Sequence, residues 1–212
     1  MEKHVEPDNI VFVKHGNKYN HDHVNSLYEQ LFFYYPNATY YCYTEFFSGI
    51  HDNIIHIPCL EKPSLKYWWN KLALFSDDLP LVGKSLFFDI DVRVRSDPRK
   101  YIRWDPKGRI TILNAYWKKD MYYAKHAYDV KINSSIITWN AGEQNHIWKH
   151  FNTNRDYYMR KYKGIDRFIE HENIPYTLFE DGIVNSVANE TMANAPIDIY
   201  NGIEYNVPRT TI

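Results

Sequence analysis

The sequence predicts an open α/β sheet flanked by helices and folded as one domain, and three observations carry that prediction. Short β-type runs alternate with stretches whose apolar residues recur at helical spacing, the pattern of strands joined by helical crossovers. The most apolar run, Leu86-Phe87-Phe88-Asp89-Ile90-Asp91-Val92, lies between Gly83 and Asp97-Pro98 and reads as a buried strand. The chain has 212 residues, enough for a substantial core, and shows no internal repeat or low-complexity linker that would mark a second domain.

The elements follow in order. Ile10 to Val13 is a short β-type run, and the polar loop Lys14 to Asn20 comes after it. From His21 to Tyr34 the residues Val24, Leu27, Tyr28, Leu31 and Phe32 line one helical face, which Pro36-Asn37 ends. Thr39 to Tyr43 and Ile54 to Ile57 read as strands. A second helix is expected after Pro63-Ser64, carrying Leu65, Trp68, Trp69, Leu72 and Phe75. The Asp-x-Asp strand is fourth. Arg93 to Lys107 is charged and rich in turn residues, so it is expected to loop out. Arg109 to Asn114 and Asn133 to Trp139 are further strands, followed by helices near Glu143 to Phe151, Asn154 to Tyr162 and Ile165 to His171. Residues 1–184 are read as the domain proper, and 185–212, Asn-rich and weakly patterned, as a loosely packed tail or lid on it.

Composition narrows the function classes. The net charge is −1, from 25 basic and 26 acidic residues, so no global basic field is present to hold nucleic acid. Only Cys42 and Cys59 occur, without metal-type spacing, which fits a reducing compartment. The N-terminus has no apolar signal region and no stretch approaches a membrane span, so a soluble cytoplasmic protein is expected.

The chemistry is concentrated in the Asp-x-Asp run. On a strand, Asp89 and Asp91 would point to one face, roughly 7 Å apart. Two neighbouring buried anions are costly without positive charge between them. Mg²⁺ or Mn²⁺ supplies that charge, since hard cations prefer carboxylate oxygens. Carboxylates at a strand end that face water, or pair with Arg93 or Arg95, would leave the same sequence pattern. A phosphatase or nuclease metal site uses a related device.

The order of these elements resembles that of small single-domain GT-A glycosyltransferases of bacteria and their phages. The resemblance runs from Ile10 to about Ser186. It rests on Val13 to Tyr19 with Val24 to Tyr28 after it, Cys42 to Glu45, Trp68 to Leu72, Phe87 to Val92, Asn133 to Ile136 and Gly164 to Ile169. It implies a single GT-A-like, Rossmann-related domain with a mixed, mainly parallel central sheet flanked by helices. It also implies a nucleoside-diphosphate-sugar donor, a hydroxyl acceptor (a glycan, a small molecule or a modified phage DNA base) and a Mn²⁺ or Mg²⁺ cofactor.

Site roles carry across by position. Val13, Lys14, His15 and Tyr19 would cradle the nucleotide. Asp91 and Asp89 would hold the metal, with Asp89 also near the ribose and His171 a further candidate ligand. Lys71 would reach the diphosphate or order the metal strand. Asn133 and Ser134 would line the sugar pocket, and Asp166 would bind a sugar hydroxyl or act as a base for the acceptor. Of Trp68 and Trp69, at most one is expected to face the site. The chain departs from the pattern in two places. Arg167 follows Asp166 where the family usually has Gln or Glu, and Ser186-Val187-Ala188 stands where Ser-Tyr-Lys would supply a cation. An arginine at 93 or 95 could take the place of that cation, which the sequence leaves open. A different phosphate-ester enzyme, or a sugar-nucleotide binder without turnover, remains the alternative at this stage.

Overall fold

The structure is a computed structural model that describes residues 5–59, 65–118, 130–200 and 207. The expected helix start at Pro63-Ser64 and the end of the 185–212 segment lie outside the described residues. The central sheet contains β1 (Asn9–Lys14), β2 (Thr39–Thr44), β3 (Ile54–Pro58), β4 (Lys84–Phe88), β6 (Ile110–Asn114), β7 (Ile132–Asn140) and β8 (Tyr176–Leu178). Their spatial order is β3-β2-β1-β4-β7-β6-β8. The four strands from β3 to β4 are mutually parallel, β7 is antiparallel to β4 and β6, and β8 is parallel to β6. A second sheet, ordered β5-β10-β9, joins β5 (Val92–Val94), β9 (Val184–Ser186) and β10 (Ile197–Ile199).

Strand alternation divides the apolar residues between the two faces of the sheet. Val11, Tyr41, Phe87 and Ile137 face a 3₁₀ helix at Tyr67–Phe75 and the helices α2 (Asn145–Asn152), α3 (Arg155–Lys161) and α4 (Ile165–His171). Ile10, Phe12, Leu86 and Phe88 face α1 (His21–Phe32) and the small sheet. The buried face of α1 is Val24, Leu27, Tyr28 and Leu31, as its periodicity predicts. Among the described residues no helix is long and apolar enough to cross a membrane.

Three expectations change. The Leu86–Val92 run is not one strand: β4 stops at Phe88, where its pairing with β1 also stops, and Asp89 to Asp91 form a turn. The run stays buried because Ile90 and Val92 pass into the core beneath the small sheet. The second helix is 3₁₀ throughout, so Trp69, Leu72 and Phe75, three residues apart, stack in one buried row. Within the 185–212 segment expected to be loosely packed, 185–186 and 195–199 are buried. Ile197 to Ile199 pair antiparallel with β5, and Tyr200 N–H donates to Asp91 O at 3.2 Å. The C-terminal region therefore braces the Asp-x-Asp turn from beneath.

Asp105 closes the far edge of the sheet. Its side chain is 1 % exposed and accepts from Arg109 at 2.7 Å and from the Lys107 N–H at 2.6 Å, and Thr177 on β8 also donates to it. The Arg109 hydrogen bonds, above all, pull its pKa down to about 2. A depressed carboxylate pKa adds stability above the ordinary value near 3.9 and loses it as pH falls toward 2. Asp105→Asn is expected to cost about 1–2 kcal/mol at pH 7. In urea titrations the gap from wild type should shrink between about pH 4 and pH 2.

Candidate active site

The chain runs outward from β1 to β2 and β3, then crosses back to place β4 on the other side of β1. The loops after β1 and β4 diverge at this reversal, so a crevice opens at the C-terminal ends of the two strands, where open α/β sheets bind ligands. On one wall is the loop after β1. Gly16 takes φ +71°, a left-handed conformation that glycine adopts without strain, and its N–H donates to Glu45 Oε1 at 2.5 Å. Glu45, just past the end of β2, thus anchors the loop. Tyr19 reaches across the crevice, and its hydroxyl donates to Asp91 Oδ2 at 2.7 Å. Burial and the Asp91 charge push the Tyr19 hydroxyl above its usual pKa, so it remains a donor.

On the other wall is the turn after β4. Asp89 N–H still donates to Ser135 O at 2.8 Å, which fixes the turn to β7. In a 3₁₀ helix residues three apart share a face, so Trp68 and Lys71 point together into the crevice. Lys71 Nζ lies 2.7 and 2.8 Å from the two carboxylate oxygens of Asp89 and 3.2 Å from Ser134 O. Those contacts occupy the ammonium donors, and Lys71 thereby orders Asp89. Burial raises the Asp89 pKa, Lys71 opposes that rise, and the charge of Asp91 adds to it.

Because β7 is antiparallel to β4, its first residues lie at the same edge as the end of β4. Asn133 and Ser134 therefore continue the site into a cavity of about 590 Å³. Asp166, in the first turn of α4, enters from the opposite side. Its Oδ1 accepts from the Ser134 N–H at 3.1 Å, and its Oδ2 lies 3.5 Å from Lys118 Nζ. Ala188 and Asn189, just after β9, complete the rim.

The structure brings together most of the residues singled out in sequence. Val13, His15, Tyr19, Lys71, Asp89 and Asp91 line a cleft of about 240 Å³. Lys71, Asp89, Asp91, Asn133, Ser134 and Asp166 line the larger cavity beside it. Others are placed elsewhere. Lys14 alternates with Val13, so its side chain turns to the opposite face of the sheet, near Cys42. His171 stacks on Tyr162 at 5.7 Å and lines a separate hollow with Lys161, Lys163 and Arg167, away from both aspartates. Arg95 pairs with Asp198 at 3.3 Å, and neither it nor Arg93 is among the described residues that line the cavity. Of the tryptophan pair, Trp69 is buried against Phe151 and Trp68 faces the site.

The other described cations lining the cavity, Lys18, Lys118 and Lys163, were not singled out as site residues in the sequence. Lys18 lies in a loop already assigned to the nucleotide. Lys118 and Lys163 come from segments whose convergence only the topology creates.

Among the described residues no group of three or more His, Cys, Asp and Glu side chains converges. Two carboxylates nevertheless fit Mg²⁺ or Mn²⁺, which are commonly held by one or two carboxylates and completed by substrate phosphates and water. Asp89 and Asp91 are the residues that would hold such an ion.

Neither a protein-family model nor a curated protein matches the sequence. Solved structures do match the fold. The galactosyltransferase LgtC, in complex with donor and acceptor sugar analogs, superposes with a TM-score of 0.65 at 13% identity, over 92% of this chain and 87% of LgtC. The apo form of the glycosyltransferase GlyE of Streptococcus pneumoniae TIGR4 gives 0.66 at 13% identity, over 98% of this chain and 57% of GlyE. A glycosyltransferase involved in glycosylation of the major capsid of PBCV-1 gives 0.59 at 12% identity, over 93% of this chain and 95% of that protein. A seven-stranded, mainly parallel sheet flanked by helices, with its crevice at the β1/β4 reversal, is thus the GT-A glycosyltransferase fold.

Proposed function

We propose that the protein is a metal-dependent glycosyltransferase that moves a sugar from a nucleoside-diphosphate donor to a hydroxyl acceptor. The observation that carries this reading is the convergence of Asp89, Asp91, Lys71, Asn133, Ser134 and Asp166 on one cavity at the sheet's reversal point. Val13, His15, Lys18 and Tyr19 line the cleft beside this cavity and would seat the base and ribose. A divalent cation on Asp89 and Asp91 would neutralise charge on the departing nucleoside diphosphate. Lys71 holds Asp89 in one orientation, and Tyr19 does the same for Asp91, as outer partners of metal-binding carboxylates do. The exposed ammonium groups of Lys18 and Lys163 border the same cavity and supply the positive charge that 186–188 lacks. Asn133, Ser134 and Asp166 present amide, hydroxyl and carboxylate groups to sugar hydroxyls, and Asp166 is the group that can take a proton from the acceptor.

Incubation with a panel of nucleoside-diphosphate sugars and Mn²⁺ tests the reading. Release of nucleoside diphosphate from one donor, dependent on the metal, is the expected result. Intact sugar nucleotides beside cleavage of phosphate esters or nucleic acid would assign the cavity to hydrolysis instead. Tight binding with neither transfer nor hydrolysis would mark a binder without turnover.

A further inference from the structure

The cavity at the aspartates continues beyond the donor site. Trp68 and Lys163 lie on its rim, and both also line an adjoining groove of about 700 Å³. The groove runs between the start of the 3₁₀ helix and α3. Lys66, Tyr67 and Trp68 form one side, and Arg155, Arg160 and Lys163 form the other. Among the described lining residues, four cations face a single carboxylate, Asp156. The Arg155 guanidinium is already positioned, 4.9 Å from the Trp148 ring centre.

The aromatic side of the groove is held open to solvent. Tyr67 is 70% exposed and Trp68 47%, with ring centres 5.7 Å apart. Tyr67 adopts φ +49°, a left-handed conformation costly for an aromatic residue. Its ring gains little burial in return, and strain of this kind concentrates at ligand sites. Gly164, at φ +108°, lies beside Trp68: a Cβ there would come into ordinary contact with the indole Nε1 at 3.4 Å. The indole therefore lies against the start of α4, two residues before Asp166, and joins the groove to the cavity.

We propose that this groove is the acceptor subsite and that the acceptor is an anionic saccharide. Its sugar ring sits on Trp68 and Tyr67, and its phosphate or carboxylate pairs with Arg155, Arg160, Lys66 and Lys163. The assignment rests on the sugar-transfer reading of the adjoining cavity. Guanidinium forks match phosphate and carboxylate oxygens, and flat aromatic faces cover the apolar face of a sugar ring while leaving its hydroxyls wet. The volume is that of a small-ligand site. The chain carries a net charge of −1, so no global basic field favours a nucleic-acid strand over a saccharide.

Three disaccharide probes test the proposal by NMR titration of the full chain at low salt: one neutral, one with a phosphate monoester and one with a carboxylate. The anionic probes are expected to bind about tenfold or more tightly than the neutral one. They should shift the Trp68 indole N–H signal, assigned with Trp68→Phe, and lose affinity as salt rises. The stronger of the two anionic probes identifies which anion the groove takes. The double variant Arg155→Gln/Arg160→Gln is expected to weaken the anionic probes about tenfold and to leave the neutral one unchanged, with Arg160→Lys retaining part of the preference. Equal binding of neutral and anionic probes would overturn the proposal. So would an anionic preference that survives the double variant, or tighter binding of a single-stranded oligonucleotide than of either saccharide. Nucleoside-diphosphate binding by the wild-type chain, followed separately, reads the donor cavity alone. Its failure would count against sugar transfer while the probe selectivity still judged the groove.

Discussion

Replacing Lys71 with methionine is expected to destabilise the protein by about 2–3 kcal/mol at pH 7 and to lower kcat/KM on a sugar-nucleotide donor by about 10²–10³. The ammonium group contacts both oxygens of Asp89 and the carbonyl of Ser134, and its side chain is 10% exposed. Methionine keeps an unbranched stem of similar length and removes the ammonium, which lies 5.3 Å from the Phe87 ring centre, together with its hydrogen bonds. Asp89 then loses the cation that contacts both of its oxygens, with Asp91 still in the same cleft. The cost falls below that of a fully buried pair because Asp89 keeps 22% of its side chain in contact with solvent.

The pH dependence of this deficit has a definite sign. Asp89 already has a raised pKa, caused first by burial, and loss of Lys71 raises it further. A carboxylate with a raised pKa keeps a proton in the folded chain that the unfolded chain has released. Stability therefore falls as pH rises through the shifted value, and the deficit is smallest below about pH 4. Urea unfolding of wild type and Lys71→Met at pH 4 and pH 7 measures the difference. An equal deficit at both values would show that the ammonium contributes packing and not charge.

Asp91→Asn is the second large effect. The amide oxygen can still accept from the Tyr19 hydroxyl, so the turn keeps its geometry and the fold is expected to survive. The variant loses the carboxylate charge that a divalent cation needs. In the wild type, nucleoside diphosphate with Mn²⁺ at about 100 times Kd should add about 2.7 kcal/mol, or roughly 5–10 °C in Tm for a chain of this size. In Asp91→Asn the metal-dependent part of that shift is expected to vanish and turnover to fall about 10³-fold. A variant that keeps the full shift would place the metal elsewhere.

The sequence carried much of the fold where periodicity is strong and local. β1, α1, β2, β3 and α4 lie where short apolar runs or helical spacing put them, because α1 buries one repeating face and β1 and β2 are buried on both. Three-residue strands carry no such signal. β8, β9 and β10 are too short to show alternation, and their identity comes from partners far along the chain, such as Val94 for Ile197. The Leu86–Val92 run misled for a related reason. Hydrophobicity reports burial, and this run is buried through two strands, β4 and β5, joined by a turn.

The candidate site was legible to the same extent. Asp89, Asp91 and the loop after β1 are read from contiguous residues at strand ends, and the structure gathers them. Lys118, at the end of a 3₁₀ turn, and Lys163, in the loop after α3, are brought to Asp166 and Trp68 only by the folded topology. Lys14 and His171 were assigned by position in a motif, and side-chain direction then carried them away from the cleft.

Electron paramagnetic resonance of Mn²⁺ bound to the full chain tests the central claim most directly. Titrated with a nucleoside diphosphate, the wild type is expected to take up about one Mn²⁺ per chain with the diphosphate in its coordination sphere, and Asp89→Asn and Asp91→Asn to lose that species. An unchanged Mn²⁺ signal in both variants would contradict the account.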